Sequence, residues 1–295
     1  MTQSSSTRQR LALRRLLMPW RAEPPQVAML RLAGVIAPQP GLTRGALNIG
    51  GLAASIERAF ALKPLTAVAL AINSPGGSPA QSALIAARIR QFAEEKKVPV
   101  LAFVEDVAAS GGYWLATAAD EIIATEASIV GSIGVISASF GFHELLKRFG
   151  VERRLYTAGE RKSLLDPFLA QDPADVERLK AVQRELHELF KEQVRRRRAD
   201  RLKAPEAELF SGEFWVGRRA LALGLIDGIG ELRGTLRQRF GEKVRLRLVG
   251  RERSWLRRRL GFADGGTDPW TTAASAAAQL AAAFEARALW ARYGL

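Results

Sequence analysis

Ser110 and Lys162 are the two side chains whose surroundings point most directly to chemistry. Ser110 lies in Val107-Ala-Ala-Ser-Gly-Gly-Tyr-Trp114, with two glycines directly behind the hydroxyl. Lys162 lies in Thr157-Ala-Gly-Glu-Arg-Lys-Ser-Leu-Leu-Asp-Pro-Phe168. Upstream, Ala71-Ile-Asn-Ser-Pro-Gly-Gly77 is a β-type run that breaks into a glycine turn. A serine hydroxyl is a poor nucleophile near neutral pH and needs a neighbouring base. A lysine fills that role only as the neutral amine, which burial favours. Glycines beside the nucleophile leave room for a substrate and let backbone N–H groups face developing negative charge. Taken singly, Ser-Gly-Gly and Asn-Ser-Pro-Gly-Gly are ordinary turns, and a lysine beside Glu160 and Arg161 is ordinarily solvated. The ordered set points to the Ser–Lys form of acyl transfer.

The elements that must position these residues alternate between strand and helix. Val27–Leu32 and Ala67–Ile72 have the pattern of buried strands, with a helix over Ile49–Ala61 between them. A helix is expected over Gln81–Lys97, with Ala83, Ile85, Ala86, Ile89 and Phe92 on its apolar side. A strand over Val98–Val104 then leads into the Ser110 turn and a helix through Ala118. Ile122–Ala124 and Ser132–Ser137 fit further short strands. The order predicts an α/β fold with a mostly parallel sheet. Asp172–Asp200 has the strongest helical period, with Val176, Leu179, Val182, Leu186, Leu189 and Val194 expected to face the core. Its end, Arg195–Arg198, is expected to offset the negative helix terminus.

Composition narrows the function. The chain has 295 residues and no cysteine, so a thiolate nucleophile, a disulfide and a cysteine-held metal are all excluded. Its only histidines, His143 and His187, do not form a metal-like pair, and a Ser-His-Asp triad is disfavoured. The formal net charge is +14. Arg8, Arg10, Arg14, Arg15 and Arg21 stand near the start without an acid, and Leu13, Leu16, Leu17 and Trp20 recur at helical spacing. A second cluster is Arg195–Arg198, and a third basic run extends from Arg233 to Arg259. Such patches suit an anionic membrane surface. Nucleic acid is not expected as a partner, because aromatics are not interleaved with the cations. No stretch is long and apolar enough for a spanning helix. The reading divides the chain into a basic segment at 1–24, a catalytic domain at 25–250, and a basic linker with an alanine-rich helix at 251–295.

The quoted segments, with Gly131-Ser-Ile-Gly-Val135 and Phe210-Ser-Gly-Glu-Phe-Trp-Val-Gly217, resemble the S49 signal peptide peptidase family in its short, single-domain form. The resemblance runs from about Val27 to Arg247. It implies Ser110 as nucleophile, Lys162 as general base and Ser132 as the hydroxyl that orients the lysine. It also implies an oxyanion site of backbone N–H groups at Gly76, Gly77 and Gly111, with the choice between Gly76 and Gly77 open. The alanine-rich run Ala273–Tyr293 is read as a C-terminal helical extension, and a ClpP/crotonase-type layering of β-β-α units follows from the same resemblance. So do hydrophobic peptide substrates such as signal-peptide remnants, a homo-oligomer with active sites facing a shared interior, no cofactor and no metal. Placement in the bacterial cytoplasm or on the cytoplasmic membrane surface is the matching expectation. Two rival readings are a catalytically silent membrane adaptor and a crotonase-type acyl-CoA enzyme.

Overall fold

Runs of Val, Ile, Leu and Ala broken by capped helices fold into one eight-stranded sheet. The computed structural model describes residues 23–38, 46–159, 161–250 and 287–294. The strands β1 (Gln26–Ala33), β2 (Ala67–Ser74) and β3 (Val100–Ala109) lie parallel at its centre. Their almost unbroken apolar character is that of strands covered on both faces. Helix α1 (Ile49–Ala61) follows β1 and is capped by Asn48, whose Oδ1 accepts the Gly51 N–H at 2.8 Å. Helix α2 (Pro79–Lys96) follows β2 with Ser78 as its cap and Pro79 opening its first turn. Between β1 and α1, Ile36 bridges both Leu47 and Gly77. The repeat of strand, short bridge and helix is the layered β-β-α arrangement that the resemblance implied.

Beyond β3 come helix α3 (Gly111–Ala116) and the short strands β4 (Glu121–Ala124) and β5 (Ile129–Gly131). Then follow α4 (His143–Arg148), the long α5 (Pro173–Arg198), β6 (Phe214–Val216), β7 (Gly228–Ile229), α6 (Leu232–Phe240) and β8 (Arg245–Leu248). The sheet order is β6-β5-β3-β2-β1-β8, with β4 and β7 branching from β3. Among the described residues only the β5–β6 pairing is antiparallel. One face packs Leu30, Leu70, Ile72 and Val104 against Ile85 and Ile89 of α2 and Leu115 of α3. The other packs Val27, Ala69, Leu101 and Phe103 against Leu236 of α6. A third patch sets Val107 and Ala109 against Trp290 and Tyr293.

The pairing of β2 with β3 contains an irregularity. Ile72 pairs with Val104, but Ser74 pairs with Ala108, so Asn73 alone faces Glu105, Asp106 and Val107. The Asn73 side chain holds this bulge, accepting the Val107 N–H at 3.3 Å and donating to Asp106.

Three expectations require correction. The strand expected over Ser132–Ser137 is Ile129–Gly131 instead, because the chain turns out of the sheet at Ser132, where φ is 53°. On α5, Val182 and Leu189 point outward, 52% and 54% exposed, and the buried side chains are Phe190, Gln193, Val194 and Arg198. Only the last turns of this helix reach the core. The arginines at its end do more than offset its own terminus. Arg197 donates to the carbonyls of Thr117 and Ala119 at 2.9 and 3.0 Å, and Arg198 donates to Gly224 and Asp227. The basic segment 1–22 lies outside the described residues. So does most of the alanine-rich stretch, of which 287–291 are helical.

Candidate active site

Ser110 sits at the junction between β3 and α3, half-buried. Its φ of 52° and ψ of −123° lie where a residue with a Cβ rarely goes, at a cost of about 1–3 kcal/mol. The turn is held from both sides. The Ser110 N–H donates to the Gly131 carbonyl at 2.8 Å, and its carbonyl accepts the Trp114 N–H at 3.0 Å. A strained serine on a sharp strand-to-helix turn is a recurring way to present a nucleophile.

The Gly76–Gly77 turn presses against this junction. A methyl group on Gly76 would lie 2.8 Å from both the Gly111 nitrogen and Ser110 Cβ, so nothing larger than hydrogen fits. A methyl on Gly111 would lie 2.4 Å from Ser82 Oγ and 3.4 Å from the Gly77 nitrogen. The backbone carbonyl of Gly76 accepts the Ile36 N–H at 2.8 Å, and its own N–H donates to Ser74 Oγ at 3.3 Å. Among the described residues the N–H groups of Gly77 and Gly111 have no acceptor. Two neighbouring backbone donors therefore stand unengaged beside Ser110, which is the geometry an oxyanion requires.

Ser132 is close to this group. Ala109 pairs with Gly131, so Ser110 and Ser132 each lie one residue past a paired position on adjacent parallel strands. Ser132 is buried, and its N–H donates to the Glu213 carbonyl at 2.6 Å. Ser110, Ser132, Gly76, Gly77 and Gly111 thus share one end of the sheet.

Lys162 stands apart from them. It occupies an exposed turn, with its N–H donating to the Gly159 carbonyl at 3.2 Å. Its Nζ has no hydrogen-bond or ion-pair partner among the described residues, so it is bonded to neither Ser110 nor Ser132. The surrounding arm is unlike the rest of the chain, since no described residue from Ile136 to Ala174 is buried. A small cluster holds the arm to itself. Phe142 lies between Phe140 and Phe168, at ring distances of 6.2 and 5.6 Å, and Arg153 covers the Phe168 ring while pairing with Asp166 at 3.0 Å. The Phe168 N–H and the Arg153 guanidinium hold the Asp166 carboxyl below its usual range.

Residues the sequence reading did not single out hold α3 from behind. Tyr113 is fully buried, and its hydroxyl donates to the Leu225 carbonyl at 2.7 Å. Burial pushes its pKa far up, so it remains a neutral donor. Gln193 donates to Thr117 Oγ1 at 3.0 Å, and Arg90 donates to the Ala118 carbonyl at 3.3 Å. The signal was present as polar residues inside helical patterns, but their partners are distant in sequence. Of the histidines, His143 lies beside Glu144, and His187 Nε2 is 3.1 Å from the Ile133 carbonyl. No cluster of ligating side chains suited to a metal ion occurs among the described residues.

The chain has relatives among known proteins. The family model described as Peptidase family S49 matches residues 92–244. A chain named Na(+)/H(+) antiporter NhaA from Brucella abortus is 50% identical over 279 residues, covering 94% of this chain and 38% of that one. Serine protease SPPA, chloroplastic, from Arabidopsis thaliana is 33% identical over 218 residues, covering 70% of this chain and 31% of that one. A solved structure of a mutant of the 1510-N membrane-bound stomatin-specific protease aligns at 15% identity with a TM-score of 0.46, covering 78% of this chain and 99% of that one. This chain spans about a third of the length of these two curated relatives. Among the described residues no helix is long and apolar enough to cross a membrane.

Proposed function

Because this chain belongs to peptidase family S49, we propose that it is a serine endopeptidase working through an acyl-enzyme on a Ser110–Lys162 dyad. The observation that carries the reading is the strained Ser110 turn beside the unengaged N–H groups of Gly77 and Gly111. Ser110 Oγ attacks a peptide carbonyl as Lys162 takes its proton, and the resulting oxyanion is held by those two N–H groups. Collapse of the tetrahedral species expels the amine with a proton returned from Lys162. Water then releases the acyl group by the same steps. Ser132 orients the lysine. Gly76 supplies close packing rather than a donor, since its N–H is engaged by Ser74.

This mechanism needs Lys162 desolvated and hydrogen-bonded to Ser110, and the single chain provides neither. Assembly with further copies of the chain supplies both, by covering the arm that carries Phe140, Phe149 and Tyr156 at 78%, 73% and 89% exposure. Substrates are hydrophobic peptides such as signal-peptide remnants, met at an anionic membrane surface that the chain touches peripherally. The long antiporter-named relative supports that placement, since a segment half identical to this chain is carried within it.

The deciding experiment is covalent labelling with a fluorophosphonate, followed by mapping of the modified residue. Adduct on Ser110, absent from the Ser110→Ala variant, is expected. An unlabelled but folded and assembled protein would point to a silent adaptor.

A further inference from the structure

The sheet edge opposite β6 carries a feature that the catalytic reading does not use. There, the start of β1 and the end of β8 border an open groove of about 680 Å³. Arg58, Lys63 and Arg247 line it together with Leu62 and Leu248, and no carboxylate does. Arg247 is oriented by a bond from its Nε to Gln26 Oε1 at 3.2 Å, and Gln26 is itself fixed by donation to the Pro64 carbonyl at 3.2 Å. Neither Arg247 nor Lys63 has an acidic partner among the described residues. Leu248, 63% exposed, stands beside these cations.

Two contacts to backbone carbonyls tie the chain together beside the groove. The Pro25 carbonyl accepts the Arg245 N–H at 2.8 Å, and the Gly250 carbonyl accepts from Arg58 at 2.7 Å. In sequence, Pro25 is preceded by the segment with five arginines, and Gly250 is followed by Arg251, Arg253, Arg257, Arg258 and Arg259 against Glu252 alone. Ser110 is at the other end of the strands, about 25 Å away at the usual rise of about 3.3 Å per residue.

We propose that this groove seats the phosphate of an anionic phospholipid, with Lys63 and Arg247 on the headgroup and Leu248 toward the acyl region. The proposal rests on the peripheral-membrane reading and gives it a location. A cationic groove with an aliphatic rim matches a lipid headgroup and its first methylenes. A nucleic-acid strand would favour an aromatic stacking surface, and none lines the groove.

The test is sedimentation of the full chain with vesicles of phosphatidylcholine containing phosphatidylglycerol. Lys63→Gln/Arg247→Gln is expected to lower the partition coefficient roughly twenty-five-fold, about five-fold per cation near an anionic surface. Lys63→Glu/Arg247→Glu should lower it further. Arg88→Glu/Lys96→Glu, an equal charge change on the exposed side of α2, should change it less than about two-fold. Cleavage of a soluble peptide should be unaltered in all three variants. An equal loss in the α2 variant would overturn the site by reducing it to net charge. Wild-type failure to bind acidic vesicles would overturn the membrane reading itself. Loss of single-stranded RNA binding with vesicle binding intact would overturn the lipid assignment. The glutamine pair keeps the test decisive if charge reversal disturbs folding.

Discussion

From Val100 to Gly131 most side chains are packed, whereas from Ile136 to Ala174 no described residue is buried. The first region carries Ser110 and the second carries Lys162. Both have defined local structure, but different physics holds them. The Ser110 turn is fixed by the sheet, by the Gly76 contact and by buried donors from α3 and α5. The arm holding Lys162 is fixed by three phenylalanines, the Arg153–Asp166 ion pair and a few turn bonds. A strained nucleophile needs a rigid frame to keep its geometry. Under the proposed mechanism, a base that must be desolvated can instead receive its environment from a partner.

The contrast is broken most severely at its centre. Ser110→Ala should lower cleavage of a hydrophobic fluorogenic peptide by roughly 10⁴-fold or more, with an unchanged thermal midpoint. Near-wild-type turnover would remove Ser110 from the mechanism. Lys162→Arg should be as damaging as Lys162→Ala, about 10³-fold each, because a guanidinium keeps its proton. If arginine substitutes well, the arm contributes charge rather than a base. Gly76→Ala should cost on the order of 10²-fold in kcat, the scale of a lost oxyanion donor, since a methyl there displaces the Ser110–Gly111 peptide. Activity within a few-fold of wild type would show that the junction can shift without consequence.

The smallest effect on folding is expected in the arm. Phe149→Ser, at 73% exposure, should change monomer stability by less than about 0.5 kcal/mol while lowering the assembled mass measured by sedimentation. Ile72→Ala, fully buried beneath α2, should cost about 2–5 kcal/mol in the same unfolding assay. Equal stability losses would mean that the arm belongs to the monomer core. An unchanged mass would leave Lys162 to be covered by some other means.

Local signals made much of the fold legible. Helix α1 spans the expected Ile49–Ala61 because Asn48 is a side-chain cap and the apolar spacing is regular. The central strands were legible as apolar runs, and the family resemblance agrees with the match over 92–244. The boundary at Ser132 was not legible, because a β-type Ile-Gly-Val-Ile run continues in sequence after the chain has left the sheet. The outward stripe on α5 was missed for a similar reason, since helical period marks an apolar face without saying what covers it. Tyr113, Arg197, Arg198 and Asp227 were invisible as a set, because their bonds join segments up to about a hundred residues apart. The grouping of Ser110 with Gly76, Gly77, Gly111 and Ser132 was readable from motif order, whereas the solvent around Lys162 was not.

The bulge opposite Asn73 constrains how this chain can change length. Across it the offset between paired residues of β2 and β3 rises from 32 to 34, an even step. Side chains on a strand alternate between faces, so an even step returns Ala108 to the same side as Val104. Removing one residue from Glu105–Val107 would invert that parity and turn the residues leading into Ser110 to the opposite face. Removing two would restore parity and straighten the strand. Insertions and deletions between Val104 and Ala108 should therefore survive in evolution or in a mutational library only as pairs, a two-residue rhythm that a deletion scan scored for folded protein would reveal.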